Sequence, residues 1–263
     1  MSTPDHSRRQ FDLFDPDRAR ALQATLGMET TIQSGDALPP FFHQAYFWEA
    51  LPSANLGPDG HPAKGGFLPD LGLPRRMWAA GKLTFHRPLL AGTRAECVSQ
   101  IQGVTRKSGK SGPLGFVSIR HDIKQRQALA VTEVQDIVYR EQNAADTSEP
   151  QQAPTNETSA QDLTFDTTML FRYSALTFNG HRIHYDEAYA REVEGYDGLV
   201  VHGPLLAQFL ILFAQHHLGT LNEFQYRATA PLMHHETATL CWRDDTAWVR
   251  GPDGRQCMIA SAR

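Results

Sequence analysis

The densest run of groups able to do acid–base chemistry is Tyr173-Ser-Ala-Leu-Thr-Phe-Asn179-Gly180-His181-Arg182-Ile183-His184-Tyr185-Asp186. It falls between a segment patterned as a strand and one patterned as a helix, the kind of loop in which a rigid frame presents reactive side chains. His184 is the natural general base, because an imidazole titrates near neutral pH and a small environmental shift tunes it. The same residue type also suits a plainer part, capping the helix that opens at Asp186 or resting satisfied in the wall. Further on, Gly203-Pro204 opens an apolar helix. Free N–H groups and the positive dipole end at such a start stabilise an oxygen that gains negative charge. Tyr173, Arg172, Arg182 and His202 accompany these two features as candidate substrate-binding residues.

Positioning these groups calls for a strand over 162–171, a polar loop, and a short helix over 186–192 with Asp186 as N-cap. A longer helix follows from Gly203-Pro204 through His217, with Pro at its first position and Gly219 just past its end. That helix is apolar on nearly every side, so other elements must wrap it. Alternation at Phe224, Tyr226 and Ala228, and the segments 237–242, 246–250 and 257–260 with turns such as Asp253-Gly254, supply the strands. A buried helix embraced by an antiparallel sheet is an α+β, hot-dog architecture. In the N-terminal half, Val117, Ile119 and Ile123 alternate with polar neighbours and 129–139 is rich in β-branched residues, so both read as strands. Gly109-Lys110-Ser111-Gly112-Pro113 reads as a turn, and 38–73, rich in Pro, Gly and aromatics, as irregular structure with one short helix. Residues 141–162 (EQNAADTSEPQQAPTNETSAQD) hold no large aliphatic or aromatic side chain to offset the entropy of ordering. The division expected is an N-terminal domain 1–141, a linker 142–161 and a C-terminal catalytic domain 162–263.

Composition bounds the function. The chain has 263 residues, 41% hydrophobic and 21% charged, ordinary for a folded soluble protein. A net charge of -4 lacks the basic excess that a phosphate backbone attracts, so nucleic acid is not an expected partner. Three widely spaced cysteines, Cys97, Cys241 and Cys257, form neither a disulfide framework nor a CxxC site, and acids interrupt any export signal near the N-terminus. The longest apolar run, 205–214, is too short to span a membrane. A cytoplasmic location and no membrane partner follow as expectations. Gly103 to Ser111 misses P-loop spacing, and His181/His184, His216-His217 and His234-His235 lack partners at a metal-site spacing, so no metal is expected.

Phe178-Asn179-Gly180-His181-Arg182-Ile183-His184 resembles the hydratase motif of the MaoC-like family, an aromatic residue followed by Gly-Asp-x-Asn-Pro-aliphatic-His. The resemblance puts His184 at the family's catalytic His and Asn179 at its catalytic Asp. An amide is no proton acceptor at neutral pH but holds a water or a substrate atom by hydrogen bonds. Gly195-Tyr-Asp-Gly-Leu-Val-Val-His202-Gly203-Pro204-Leu205 is similar to the family's lead into its central helix, which makes the Gly203 N–H the carbonyl's partner. Arg76-Met-Trp-Ala-Ala-Gly-Lys-Leu-Thr-Phe-His86-Arg87-Pro88-Leu89, the stretch Ser111 to His121 and the stretch Glu133 to Arg140 resemble the dehydratase domain that precedes the MaoC-like half in two-hot-dog proteins. The first half has no Asn-x-x-x-x-His constellation and is expected to be a degenerate hot dog that completes the substrate tunnel.

The resemblance implies a double hot-dog hydro-lyase that adds water reversibly to an enoyl thioester carried by CoA or an acyl carrier. Itaconyl-CoA and mesaconyl-C4-CoA are the nearest substrate types. No cofactor is implied beyond the CoA of the substrate, and a homodimer of double hot dogs is compatible with the resemblance. A dicarboxylic acyl chain requires a cation, for which Arg182, Arg172 and Arg227 are candidates. Two rivals stand beside this reading: a hot-dog thioesterase and a non-catalytic acyl-CoA or acyl-carrier binding module.

Overall fold

The computed structural model describes residues 7–109, 112–141 and 149–263. Ten strands form one antiparallel sheet. In chain order the elements are β1 (Ser7–Leu13), α1 (Pro16–Thr25), β2 (Arg75–Phe85), β3 (Arg94–Gly109), β4 (Gly112–Gln125), β5 (Ala128–Arg140), β6 (Ser159–Leu163), α2 (Thr167–Thr177), α3 (Glu187–Glu192), α4 (Gly203–Leu218), β7 (Glu223–Ala228), β8 (Ala238–Arg243), β9 (Thr246–Arg250) and β10 (Gln256–Ala262). The sheet order β1-β3-β4-β5-β2-β7-β10-β9-β8-β6 sets five strands from each half side by side, joined at β2 and β7.

That joint has a chemical reason. Gly81 lies opposite Tyr226 in the β2–β7 register. A Cβ at 81 would stand 2.0 Å from the Tyr226 hydroxyl, so glycine lets the phenol ring cross the seam and stack on Trp78, centroids 4.5 Å apart.

The helices start where their caps dictate. Asp15 accepts from Asp17 N with Pro16 at the first position of α1, Asp166 accepts from Met169 N at α2, and Asp186 accepts from Tyr189 N at α3. Pro204 sits in the first turn of α4, and Gly219 ends it at φ +73°. On α4 Leu205, Leu206, Ala207, Leu210, Ile211 and Ala214 are buried, each large aliphatic stabilising by roughly 1.5–3 kcal/mol. The buried Gln208 donates through Nε2 to Pro40 O at 3.0 Å, tying α4 to the first half. One core cluster runs through both halves, from Phe14, Leu22 and Phe42 to Leu210, Phe224 and Val249.

The helix at 203, the N-cap at Asp186 and the strands after Leu221 are where the sequence places them. Several other elements differ. The strand expected over 162–171 is the short β6 followed by α2. Asp166 caps that helix, and Leu170, Tyr173 and Ser174 bury at helical rather than alternating spacing. Within 38–73 there are two 3₁₀ turns, Phe42–Ala45 and Ser53–Asn55, in place of one helix. Of the expected turn at 109–113, Lys110 and Ser111 lie outside the described residues, and β3 and β4 pair across it at Gly109 and Gly112. Of the expected linker, 142–148 lie outside the described residues. Beyond them the chain is bound to the second half: Gln152 bridges Arg255, Ala153 is buried against Cys241 and Trp248, and Trp248 Nε1 donates to Pro154 O at 3.1 Å. Backbone hydrogen bonds and one small buried alanine do there what large side chains do elsewhere. Among the described residues no helix is long and apolar enough to cross a membrane.

Candidate active site

The motif loop runs from the end of α2 to the start of α3. Phe178, at φ +52°, turns the chain out of α2, and its ring stacks on Trp48 of the first half at 5.3 Å. Asn179 Oδ1 then accepts from His181 N at 3.0 Å, closing a small turn. A single 3₁₀ turn, Arg182–His184, delivers His184 inward.

His184 is 6% exposed, and its Nδ1 lies 2.7 Å from the Val200 carbonyl oxygen. A carbonyl only accepts, so Nδ1 carries the proton and Nε2 keeps its lone pair, without a partner among the described residues. The ring stacks on His202 with centroids 3.6 Å apart. His202 is the N-cap of α4, makes no side-chain cap bond, and pairs through Nε2 with Ser174 Oγ at 2.8 Å. The opening N–H groups of α4 are thus left for another acceptor, one residue from the ring that stacks on His184. Trp78 of β2 covers this start: a Cβ on Gly203 would lie 2.9 Å from its ring.

The first half contributes more than a wall. The hairpin around Pro58-Asp59-Gly60-His61 lies on the motif loop, with Arg182 N donating to Asp59 O at 2.9 Å and Arg182 Nη1 to Pro58 O at 3.2 Å. A Cβ on Gly60 would stand 1.9 Å from Gly180 O, so the two backbones are in contact. His61 Nδ1 is 3.1 Å from Asp59 Oδ2, and its ring lies 4.3 Å from that of His181, which is 5.4 Å from that of His184. Four imidazoles are therefore neighbours in succession between Asp59 and Ser174: 61, 181, 184 and 202.

Burial and neighbouring imidazoles hold three of these rings, 61, 184 and 202, below their ordinary value. Burial, then His202 and His181 beside it, push His184 well below its ordinary value. Burial, then His181, brings His202 down to about 3. Burial outweighs the Asp59 bond at His61 and brings it to about 4. Asp59 is driven up by burial, but the His61 bond and the His61 and Arg76 charges win and hold it well below the usual carboxylate range. Glu194 likewise stays ionised against burial through His181, 3.8 Å away, and Arg75.

The other expected residues are distributed as follows. Tyr173 is buried, its ring 5.0 Å from His202 and its hydroxyl unpaired. Arg182 is engaged by Asp186 at 2.7 Å and lies over the Tyr189 ring. Arg172 is exposed on α2, and Arg227 is exposed on β7, where alternation turns it to the side opposite the buried Tyr226. The pattern passed over Asp59, His61, Arg76 and Trp78; a Pro-Asp-Gly turn followed directly by His was the available signal. Arg76 is buried, donates from Nη2 to Pro62 O at 2.6 Å, and holds Nε 4.0 Å from Asp59 Oδ2.

Asp59, His61 and His181 also bring three donor atoms within 4.8 Å of one another, as metal ligands would be. Two facts oppose a cation there: Arg76 stands beside Asp59, and coordination at His61 Nδ1 would break its bond to Asp59. Two surface clefts of about 670 and 330 Å³ lie along the first half, lined by Pro16, Arg20 and Ile32 and by Phe11, Arg18 and Trp48. Neither includes His184.

Comparison with known proteins follows the same lines. The family model described as hydroxyacyl-thioester dehydratase type 2 matches residues 41–234. The mesaconyl-C(4)-CoA hydratase of Chloroflexus aurantiacus is 41% identical over 257 residues, covering 93% of this chain and 90% of that protein. Among solved structures, HtdX of Mycobacterium tuberculosis superposes with a TM-score of 0.70 at 17% identity, over 98% of this chain and 99% of that one. A second Mycobacterium tuberculosis protein, described as having a double hot-dog fold, superposes at 0.58 with 14% identity, over 99% and 96%. The fold is the α+β double hot dog that the sequence implies.

Proposed function

The chain belongs to the hydroxyacyl-thioester dehydratase type 2 family, and from this premise we propose that His184, Asn179 and the Gly203 N–H carry out the reversible hydration of a short dicarboxylic enoyl-CoA. The enzyme is a hydro-lyase acting on acyl thioesters. Residue roles and the acyl chain are the proposal.

The observation that carries it is the stacking of His184 on the residue before Gly203. It sets a lone pair at Nε2 beside a helix start whose N–H groups face no side-chain cap. Water loses a proton to His184 as its oxygen attacks the β-carbon. The electron pair moves toward the thioester oxygen, which the Gly203 N–H and the helix dipole stabilise. The imidazolium then returns the proton to the α-carbon, and one water has been added. Asn179 holds the loop through His181 N and offers its amide as a hydrogen-bond donor. Tyr173, whose buried hydroxyl has no partner among the described residues, is the further polar group we assign to the acyl chain. This chemistry draws on no cofactor beyond the CoA of the substrate.

In mesaconyl-C4-CoA, the substrate in the Chloroflexus relative's name, the free carboxylate sits on the β-carbon itself. Its counter-charge must then stand beside the reacting centre, since a buried carboxylate without one is costly. Arg76, buried beside the hairpin that lies on the motif loop, meets this need better than Arg172 or Arg227, which are exposed.

The test is direct. Purified protein incubated with mesaconyl-C4-CoA, itaconyl-CoA and crotonyl-CoA should convert a dicarboxylic substrate fastest, with the mass gain of one water and no free thiol. Release of free CoA would establish a thioesterase instead. Binding without conversion would establish a binding module.

A further inference from the structure

We infer that His61, held by Asp59, is a second catalytic histidine, lent to the reaction by the N-terminal half, which accepts the O–H of the attacking water that His184 does not take. The inference rests on the hydratase reading above.

A water that attacks carbon has two O–H bonds to place. One points at the base. The other needs an acceptor of its own if the oxygen lone pair is to stay aimed at the β-carbon, and such orientation is a large part of rate enhancement. His184 offers a single lone pair, at Nε2. Asn179 is a poor second acceptor, because its Oδ1 already receives His181 N at 3.0 Å and the rest of the amide only donates.

His61 is built like His184. In each ring Nδ1 is fixed by an acceptor, the Val200 carbonyl at 2.7 Å for His184 and the Asp59 carboxylate at 3.1 Å for His61. In each the lone pair is thereby assigned to Nε2, which has no partner among the described residues. His61 and His184 both neighbour His181, with centroids 4.3 and 5.4 Å from its ring, and His61 keeps 24% of its side chain accessible. A histidine that served only packing would not need an ionised carboxylate on one nitrogen and nothing on the other.

The hairpin is also fastened to the motif loop. Gly57 N donates to His61 O at 2.7 Å and Gly60 N to Gly57 O at 3.0 Å, which closes the hairpin. Arg182 N to Asp59 O, and the Gly60–Gly180 backbone contact, fasten it to the loop that ends at His184. The carboxylate of Asp59 fixes the His61 ring at Nδ1. Asp59 is a positioning residue that acts through His61.

The step balances. A lone pair of water forms the C–O bond at the β-carbon, and the π pair shifts toward the thioester oxygen. One water proton passes to His184 Nε2; the other stays on oxygen, bonded to His61 Nε2, and becomes the hydroxyl hydrogen of the product. His184 then delivers its proton to the α-carbon.

The experiment compares wild type, His61→Ala, His61→Gln and Asp59→Asn with mesaconyl-C4-CoA, following kcat, KM, rescue by free imidazole, and folding by near-UV circular dichroism. His61→Ala is expected to lower kcat about 100-fold with KM within about threefold, and imidazole to restore about tenfold, the range of a lost acid–base partner. His61→Gln, whose side-chain oxygen accepts one hydrogen bond, should fall between, and Asp59→Asn should lower kcat about tenfold at similar KM. Folded His61→Ala with kcat within about threefold of wild type, or a loss that neither imidazole nor Gln recovers, overturns the inference. Should His61→Ala not fold, Gln and Asp59→Asn decide it by the same kcat-against-KM split. A wild type that hydrates nothing overturns the hydratase reading itself, which is a different result from an active wild type with an indifferent His61.

Discussion

His184 and His202 stack ring on ring, centroids 3.6 Å apart and planes 21° from parallel. The second ring belongs to the N-cap of α4, so the stack is a mechanical link between His184 and the opening turn of α4. His202 is in turn fixed by Ser174 of α2 and His184 by Val200, so neither ring is free to swing.

From this linkage, His184→Ala should remove the base and unseat His202. Hydration is expected to fall by about 10²–10⁴, the usual weight of a general base. His184→Gln should lose activity similarly while keeping more stability, since Gln retains a donor for the Val200 carbonyl. Enoyl-thioester absorbance and urea unfolding measure the two effects separately, and near wild-type turnover in folded His184→Ala would remove the base assignment.

Gly203→Ala tests the helix start. The new methyl would come 2.9 Å from the Trp78 ring, closer than real Cβ contacts allow, so one of the two must shift. Destabilisation of about 1–3 kcal/mol is expected, as for other overpacked sites. Activity should fall further than stability explains, because the N–H at 203 moves with the backbone. Trp78→Leu in the same chain should recover stability; if it does not, Trp78 is not the obstacle.

How much of this was legible follows from what each feature depends on. Pro204, Gly219 and the unbroken apolar face of α4 are local signals, and Asp186 caps α3 through its own neighbour Tyr189 N, so these elements could be placed from sequence. His184 was legible through its spacing from Phe178. His61 was not, because its meaning comes from a contact with residues 179–182 more than a hundred positions away, in a stretch without periodicity. Helix α2 was hidden by Thr167, Thr168 and the strand-like Asp-Leu-Thr-Phe before it, and only the buried spacing of Leu170, Tyr173 and Ser174 identifies it.

Acid should weaken the protein through the histidine row. In the unfolded chain each ring takes up a proton near the ordinary value of 6.5; in the folded protein burial delays this to about 4 at His61 and about 3 at His202. Below 6.5 the unfolded state therefore binds more protons, and stability falls as pH drops, over 6.5 to about 4 for the first ring and 6.5 to about 3 for the second. Each ring contributes about 1.4 kcal/mol per pH unit inside its window. Urea midpoints at several pH values, compared with His202→Phe, should show a shallower slope in the variant; equal slopes would mean that His202 does not titrate in this way.

Chelation separates an acid–base row from a metal cage. The three donors of Asp59, His61 and His181 lie within 4.8 Å, yet Arg76 stands 4.0 Å from Asp59. A cation entering there would stand close to that guanidinium and be repelled by it. Dialysis against EDTA should leave hydration unchanged, and added zinc should slow it by occupying the ring nitrogens. Loss of activity in EDTA with recovery in zinc would assign the cluster to a metal.

Gly60→Ala tests whether the N-terminal hairpin works as a clasp on the motif loop. Gly60 has φ +85°, a region L side chains rarely adopt, and its Cβ would lie 1.9 Å from Gly180 O, a backbone atom that cannot rotate away. The hairpin must therefore lift from the loop, taking His61 away from His181 and loosening the Arg182 N to Asp59 O bond. The hairpin makes no strand pairing with the main sheet, so global stability should change by only about 1–2 kcal/mol while turnover falls at least tenfold. Amide exchange at Arg182 would rise in the variant, because its N–H loses the Asp59 carbonyl. Protected exchange at Arg182 together with wild-type turnover would show that the clasp is not needed to hold the site.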